Sequence, residues 1–175
     1  CVTGPSGVGK TTISKIISVC LGYKETLILS GDDSHLWERG DENWKKFTHL
    51  NPEANYICKF REDTFNLKIG QDIYQVDYDH STGKFTEKEE LKSCNNILMC
   101  GLHTLYDKHT NKLFNMKIFL DTDINLKYHW KIKRDVEHRG YSVSQVLEKI
   151  KQREGDNKLY IEPQKNNSDI IIRFF

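Results

Sequence analysis

The chain opens on Cys1-Val2-Thr3-Gly4-Pro5-Ser6-Gly7-Val8-Gly9-Lys10-Thr11-Thr12, and no other stretch constrains its fold as much. It contains Gly-x-x-x-x-Gly-Lys-Thr, the loop that carries a chain from a strand into a helix while wrapping its backbone around phosphate oxygens. Glycines permit the tight turn and the close approach of backbone N–H groups to the anion. Lys10 is expected to reach the β- and γ-phosphates of ATP, and the Thr11 hydroxyl to face Mg²⁺. The helix that follows adds a positive N-terminal dipole. The expected ATP-binding set is therefore Gly4, Pro5, Ser6, Gly7, Val8, Gly9, Lys10, Thr11 and Thr12.

The context agrees with the motif. Ile13, Ile16, Ile17 and Cys20 recur at i, i+3, i+4 and i+7, a helical spacing, and Gly22 stands where a C-cap glycine belongs. Only Cys1-Val2-Thr3 precedes the loop, which reads as a strand cut short in one domain of a longer protein. The 175 residues are enough for one domain with a real core. With 26 basic and 25 acidic residues the net charge is +1, which gives no reason to expect a nucleic-acid or membrane partner. The five cysteines are odd in number and form no C-x-x-C, so a disulfide framework is not expected and a cytoplasmic, reducing location fits.

Along the chain, short apolar runs alternate with helical patterns. Residues 26–30, 96–100, 115–120 and 169–172 read as buried strands, and Ile73 to Tyr78 as an alternating strand. Phe60, Thr64 and Leu67 share one side of a helix ended by Gly70. Lys131, Arg134, Asp135 and His138 share one face of another. Ser142-x-x-Gln145 is a capping box that opens a helix with an apolar face of Val143, Val146, Leu147 and Ile150; residues 161–165 read as a loop. The pattern predicts a three-layer α/β P-loop NTPase fold, its mainly parallel sheet covered by helices on both faces. In such sheets ligands bind beyond the carboxyl ends of the strands. Gly31-Asp32-Asp33-Ser34-His35 to Arg39, which follows residues 26–30, lies there.

Asp32-x-x-His35-x-x-x-Arg39, Tyr78-Asp79-His80-Ser81-Thr82-Gly83, Gly101-Leu102-His103, Trp130-Lys131-Ile132-Lys133-Arg134-Asp135, Arg139-Gly140 and Tyr160-Ile161-Glu162-Pro163-Gln164-Lys165 together resemble the phosphoribulokinase and uridine kinase family. The resemblance spans nearly the whole chain and implies a kinase that moves the γ-phosphoryl group of ATP, with Mg²⁺, to a hydroxyl of a small molecule. It implies Asp32 as general base, with Lys10, Arg134 and Asp135 also catalytic. It implies His35, Arg39, His80, Lys131 and Arg139 as acceptor contacts. The metal is assigned to Thr11, Asp135 and Asp33.

Two residues depart from the family pattern. Cys100 stands where the family has a glutamate before Gly-Leu-His, and Asp33 stands where it often has a small residue. Asp33 is expected to replace the lost carboxylate toward the metal. The chain also stops short of the C-terminal region of full phosphoribulokinases. The expected acceptor is a sugar phosphate, ribulose 5-phosphate first, because His35, Arg39 and Arg139 suit a phosphorylated molecule. A nucleoside such as uridine is the second acceptor. A nucleotide-binding regulatory module without catalysis is the reading from another class. Association into a homo-oligomer is left open.

Overall fold

The computed structural model describes residues 1–175. The regular elements run β1 (Val2–Thr3), α1 (Lys10–Leu21), β2 (Thr26–Ser30), α2 (Ile57–Lys68), β3 (Ile73–Gln75), β4 (Tyr78–Asp79), β5 (Lys84–Phe85), β6 (Glu89–Leu91), β7 (Asn96–Gly101), α3 (Lys108–Asn111), β8 (Ile118–Thr122), α4 (Ile124–Arg139), α5 (Val143–Asp156) and β9 (Ile170–Phe174). Five strands form one parallel sheet in the order β2-β7-β1-β8-β9. The two-residue β1 lies at its centre, so the phosphate-binding loop leaves from the middle of the sheet.

Side chains alternate across the pleat, and each face has its own core. Val2, Leu98, Ile118 and Leu120 meet Ile13 and Ile17 of α1 on one face. Leu29 and Met99 meet Phe60 and Leu67 of α2 on the other. Consecutive Leu98 and Met99 thus serve opposite layers, which confirms the three-layer arrangement expected from the sequence.

Several local expectations need correction. In α1 the face turned to the sheet carries Ile13, Ser14, Ile17 and Ser18, while Ile16 is 54% exposed. Small serines let the helix lie close to the sheet, and Cys20 is exposed. The stretch from Ile73 to Tyr78 is two strands: β3 pairs with β6, and β4 turns through residues 80–83 to pair with β5. The strand expected at 115–120 begins at Ile118, and Met116 is used instead through its carbonyl, which accepts from the amino terminus of Cys1 at 2.7 Å.

β9 is not a buried strand. It has a single neighbour, and Ile170 and Ile171 face outward. In α5, Val146 is fully buried but Val143 and Leu147 are exposed. The capping box forms as expected. Residues 161–165 belong to helical turns spanning 157–167, a wide π-turn followed by a tight 3-10 stretch. Gln164 anchors them by accepting from Leu105 N at 2.9 Å and donating to Leu102 O and Tyr160 O at 2.7 Å. One buried amide satisfied in this way ties the turns to the segment that follows β7.

Candidate active site

All five parallel strands run the same way, so the loops at their carboxyl ends gather over one rim. There they enclose a cavity of about 880 Å³. Ser6 to Ile13 form its floor. Gly7 has φ +91, and a Cβ there would stand 3.0 Å from Lys131 Cβ, so the loop needs glycine both for its turn and for its seat on α4. Gly4 and Pro5 are buried behind the floor and face Lys10 through their carbonyls. Lys10 Nζ donates to Gly4 O at 2.8 Å and Pro5 O at 2.9 Å. Burial lowers its pKa, and the Asp32 carboxylate opposes. Thr11 and Thr12 are exposed at the first turn of α1. Trp130 and Phe174, with ring centroids 5.6 Å apart, stand beside them in the wall.

Asp32 sits in the short turn after β2, where the Ser30 hydroxyl accepts from its N–H. The turn can lie against the end of β7 because Gly31 and Gly101 touch: a Cβ on Gly101 would come within 2.9 Å of Gly31 Cα. Asp32 faces the cavity, and its Oδ2 lies 3.2 Å from His80 Nε2. Burial alone would raise the Asp32 carboxyl. The His80 hydrogen bond and the attraction of His80 and Lys10 outweigh burial and hold it well below the usual carboxylate range.

His35 is buried, and its Nδ1 is 2.8 Å from Asn55 Oδ1. The Asn55 amide nitrogen donates to His49 O and Asn51 O, so its oxygen is the acceptor and His35 Nδ1 carries the proton. Burial lowers the His35 pKa, which favours the neutral ring and leaves Nε2 as an acceptor.

Asp33 points elsewhere. Its Oδ1 accepts from Tyr78 N at 2.9 Å, and burial pushes its pKa up to about 7 although that amide opposes. It holds β4 in place and lies outside the cavity lining, so the expected substitution for the missing glutamate does not form here. Successive side chains of a tight turn diverge, and only Asp32 looks inward.

Asp135 is tied by cations. Lys131 Nζ is 2.8 Å from its Oδ2, Arg134 Nε donates to Oδ1 at 2.9 Å, and Arg139 Nε stands 3.7 Å away. Burial would raise Asp135; Lys131 and Arg134 bring it below the usual range. Lys131 is itself buried, with its pKa lowered to about 8 chiefly by burial. Expected as an acceptor contact, it lies under Gly7 and outside the cavity lining. Asp135, expected as a metal ligand, lines the cavity with its oxygens engaged by these cations. No three His, Cys, Asp or Glu side chains converge on one point. The oxygen donors in the lining include the Thr11 hydroxyl and the carboxylates of Asp32 and Asp135, of which Asp32 is the one not held by Lys131 and Arg134.

The far wall is made of side chains from separate segments. Arg39 is exposed at the cavity edge and donates to His80 O at 2.6 Å and Ser81 O at 3.3 Å, bracing the turn that carries His80. Trp44 stacks on His49 at 3.8 Å. Lys149, Gln152 and Arg153 of α5 complete this wall. Sequence reasoning named Arg39, read Trp44 only as a packing residue, and missed His49 as well as the three residues Lys149, Gln152 and Arg153 of α5. The usable signal was their i, i+3, i+4 spacing on a capped helix, opposite the apolar positions weighed there.

The sequence profile of the phosphoribulokinase / uridine kinase family matches residues 1–175. The chain belongs to that family. It is 33% identical over 172 residues to the phosphoribulokinase of Synechocystis, covering 98% of this chain and 52% of the relative. It is 32% identical over 180 residues to the uridine kinase of Ligilactobacillus salivarius, covering 98% and 82%. The chain spans about half the length of the phosphoribulokinase it matches. Among solved structures, the phosphoribulokinase of Rhodobacter spheroides superposes with a TM-score of 0.77 at 22% identity, over 98% of this chain and 68% of that one, which supports the fold. Against the family pattern, Cys100 is a buried thiol whose pKa is raised by burial, so it supplies no negative charge beside Lys10.

Proposed function

We propose that this chain transfers the γ-phosphoryl group of ATP to a hydroxyl of a small phosphorylated sugar, with ribulose 5-phosphate the leading acceptor. One observation carries the reading: an ionised Asp32 stands in a single cavity between a phosphate-binding loop and a wall of arginines, a lysine and histidines. Two polyanions can meet only where cations offset their repulsion.

In this mechanism Asp32 accepts the proton of the attacking hydroxyl. His80 orients the carboxylate and lowers its basicity until an acceptor hydroxyl takes over that hydrogen bond. Neutral His35 presents Nε2 to another sugar hydroxyl, so it recognises the sugar and not its phosphate. Lys10 leaves the Gly4 and Pro5 carbonyls for the β- and γ-phosphates. Arg134 and Arg139, fixed by Asp135, flank the group in transfer. Thr11 and Asp32 suit a Mg²⁺ ion that arrives on the nucleotide and keeps most of its water shell, where it would offset phosphate charge. The five cysteines are free, in keeping with a reducing, cytoplasmic location.

The stacked Trp44 and His49 rings favour one second reading, a nucleoside acceptor whose base meets an aromatic wall. Steady-state transfer from ATP to a panel of pentose phosphates, pentoses and nucleosides tests both. Preference for phosphorylated sugars supports the first reading, and preference for uridine the second. ATP binding with no transfer to any acceptor points to a regulatory module.

A further inference from the structure

The cavity holds one cation whose placement has no explanation inside the protein. Arg153 is half-buried on the cavity face of α5 and takes part in no ion pair. Its polar contact is a neutral ring: Nη2 lies 3.4 Å from His49 Nδ1. His49 cannot answer its charge, because burial and Arg153 itself push the His49 pKa down to about 2. The other cavity cations are occupied. Lys10 rests on loop carbonyls, Arg134 and Arg139 on Asp135, and Arg39 on the carbonyls of His80 and Ser81.

The guanidinium is also held in position. One helical turn away, Asp156 accepts from the Thr48 hydroxyl at 2.7 Å, so adjacent residues 48 and 49 meet adjacent turns of α5. Trp44 stacks on His49 from behind. Lys149, four residues before Arg153, lines the same wall and lies 3.3 Å from the Tyr141 ring centroid. A desolvated, preorganised guanidinium with a lysine beside it and no carboxylate in ion-pair contact is arranged for an anion from outside.

We infer that Arg153, seated on His49, receives the phosphate group of the acceptor, with Lys149 as the second cation. The inference rests on the sugar-phosphate reading above and specifies which residues select for phosphate. Arg39, the position that the family resemblance offers for this task, acts instead as the brace of the His80 turn.

The test is calorimetric titration, without ATP, of the parent, Arg153→Met and Arg153→Lys with ribulose 5-phosphate and with ribulose, followed by titration with ATP. The parent should favour the phosphorylated sugar. Arg153→Met should lose on the order of a hundredfold in affinity for ribulose 5-phosphate, the size of a charge-assisted fork contact. Its ribulose and ATP affinities should stay at the parent values, and the retained ATP affinity shows that the variant is folded. Arg153→Lys keeps the charge but not the fork and should lose roughly tenfold; it carries the test if Arg153→Met does not fold. Parent-like affinity for ribulose 5-phosphate in a variant that still binds ATP overturns the assignment and leaves the kinase reading intact. A parent that binds ribulose and ribulose 5-phosphate alike, or neither, overturns the sugar-phosphate reading itself.

Discussion

The two walls of the cavity are built on different principles. The floor is one continuous run, Ser6 to Ile13, whose working groups are mostly backbone and whose shape depends on glycines. The opposite wall draws Arg39, Trp44, His49, His80 and Arg153 from segments far apart in the chain, and its working groups are all side chains. A backbone site is written locally and is hard to change without losing the turn. A side-chain site depends on packing between distant segments, so it can change acceptor while the floor stays the same. Asp32 stands where the two meet.

That difference can be broken most severely at Asp32. Asp32→Asn keeps the shape but cannot take a proton, so kcat should fall on the order of a thousandfold while ATP affinity changes little. Rapid-quench kinetics and ATP titration check the two parts. A variant that loses ATP affinity instead would place Asp32 with the floor.

Asp135 is the residue on which the cations of α4 converge, and it is nearly fully buried. Asp135→Ala leaves Lys131 without its buried partner and should destabilise the fold by about 3 kcal/mol. Chemical denaturation measures it. The folded pKa of Asp135 lies below the ordinary aspartate value of 3.8, so its contribution is present above that value and is lost as pH falls through the folded pKa. An unchanged denaturation midpoint would show that the cluster is not structural.

Lys10→Ala probes the floor alone. It should weaken ATP binding and lower turnover by roughly a hundredfold, without changing acceptor affinity. Calorimetry with each ligand separately decides it.

The smallest effect is expected at Asp33. Its folded pKa is about 7 against the ordinary aspartate value of 3.8, so the stability it contributes is complete below about pH 4 and is lost as pH rises through about 7. The slope is opposite to that of Asp135. Asp33→Asn keeps an oxygen for Tyr78 N–H and should remove this loss, leaving a protein slightly more stable at pH 8. Its Mg²⁺ dependence should match the parent. A higher Mg²⁺ requirement would return Asp33 to the metal.

What could be read from the sequence follows the same division. The loop, α1 and the strand that ends before Asp32 were legible because spacing within a dozen residues encodes them. The capping box of α5 was legible for the same reason. The cavity face of α5 was not, because a polar stripe on a helix looks the same whether it meets solvent or a ligand, and only the contact between Arg153 and His49 separates the cases. Asp33 and Lys131 lie outside the cavity lining for a related reason. Sequence placed them beside functional neighbours, but Tyr78, which sets the direction of Asp33, and the phosphate-binding loop at Gly7, which covers Lys131, come from packing. The exposed β9 depended on strand order, which its run of isoleucines does not state.

The central claim is that one cavity holds ATP on the backbone floor and a phosphorylated acceptor on the side-chain wall, with Asp32 between them. The most direct measurement is a crystal structure of the ternary complex with a non-hydrolysable ATP analogue, Mg²⁺ and ribulose 5-phosphate. The account predicts the triphosphate on residues 4–12, the sugar phosphate against the α5 wall, and an acceptor hydroxyl about 3 Å from the Asp32 carboxylate, within proton-transfer reach. An acceptor bound with its hydroxyls out of reach of Asp32, or the sugar phosphate seated on the floor in place of the nucleotide, would contradict it.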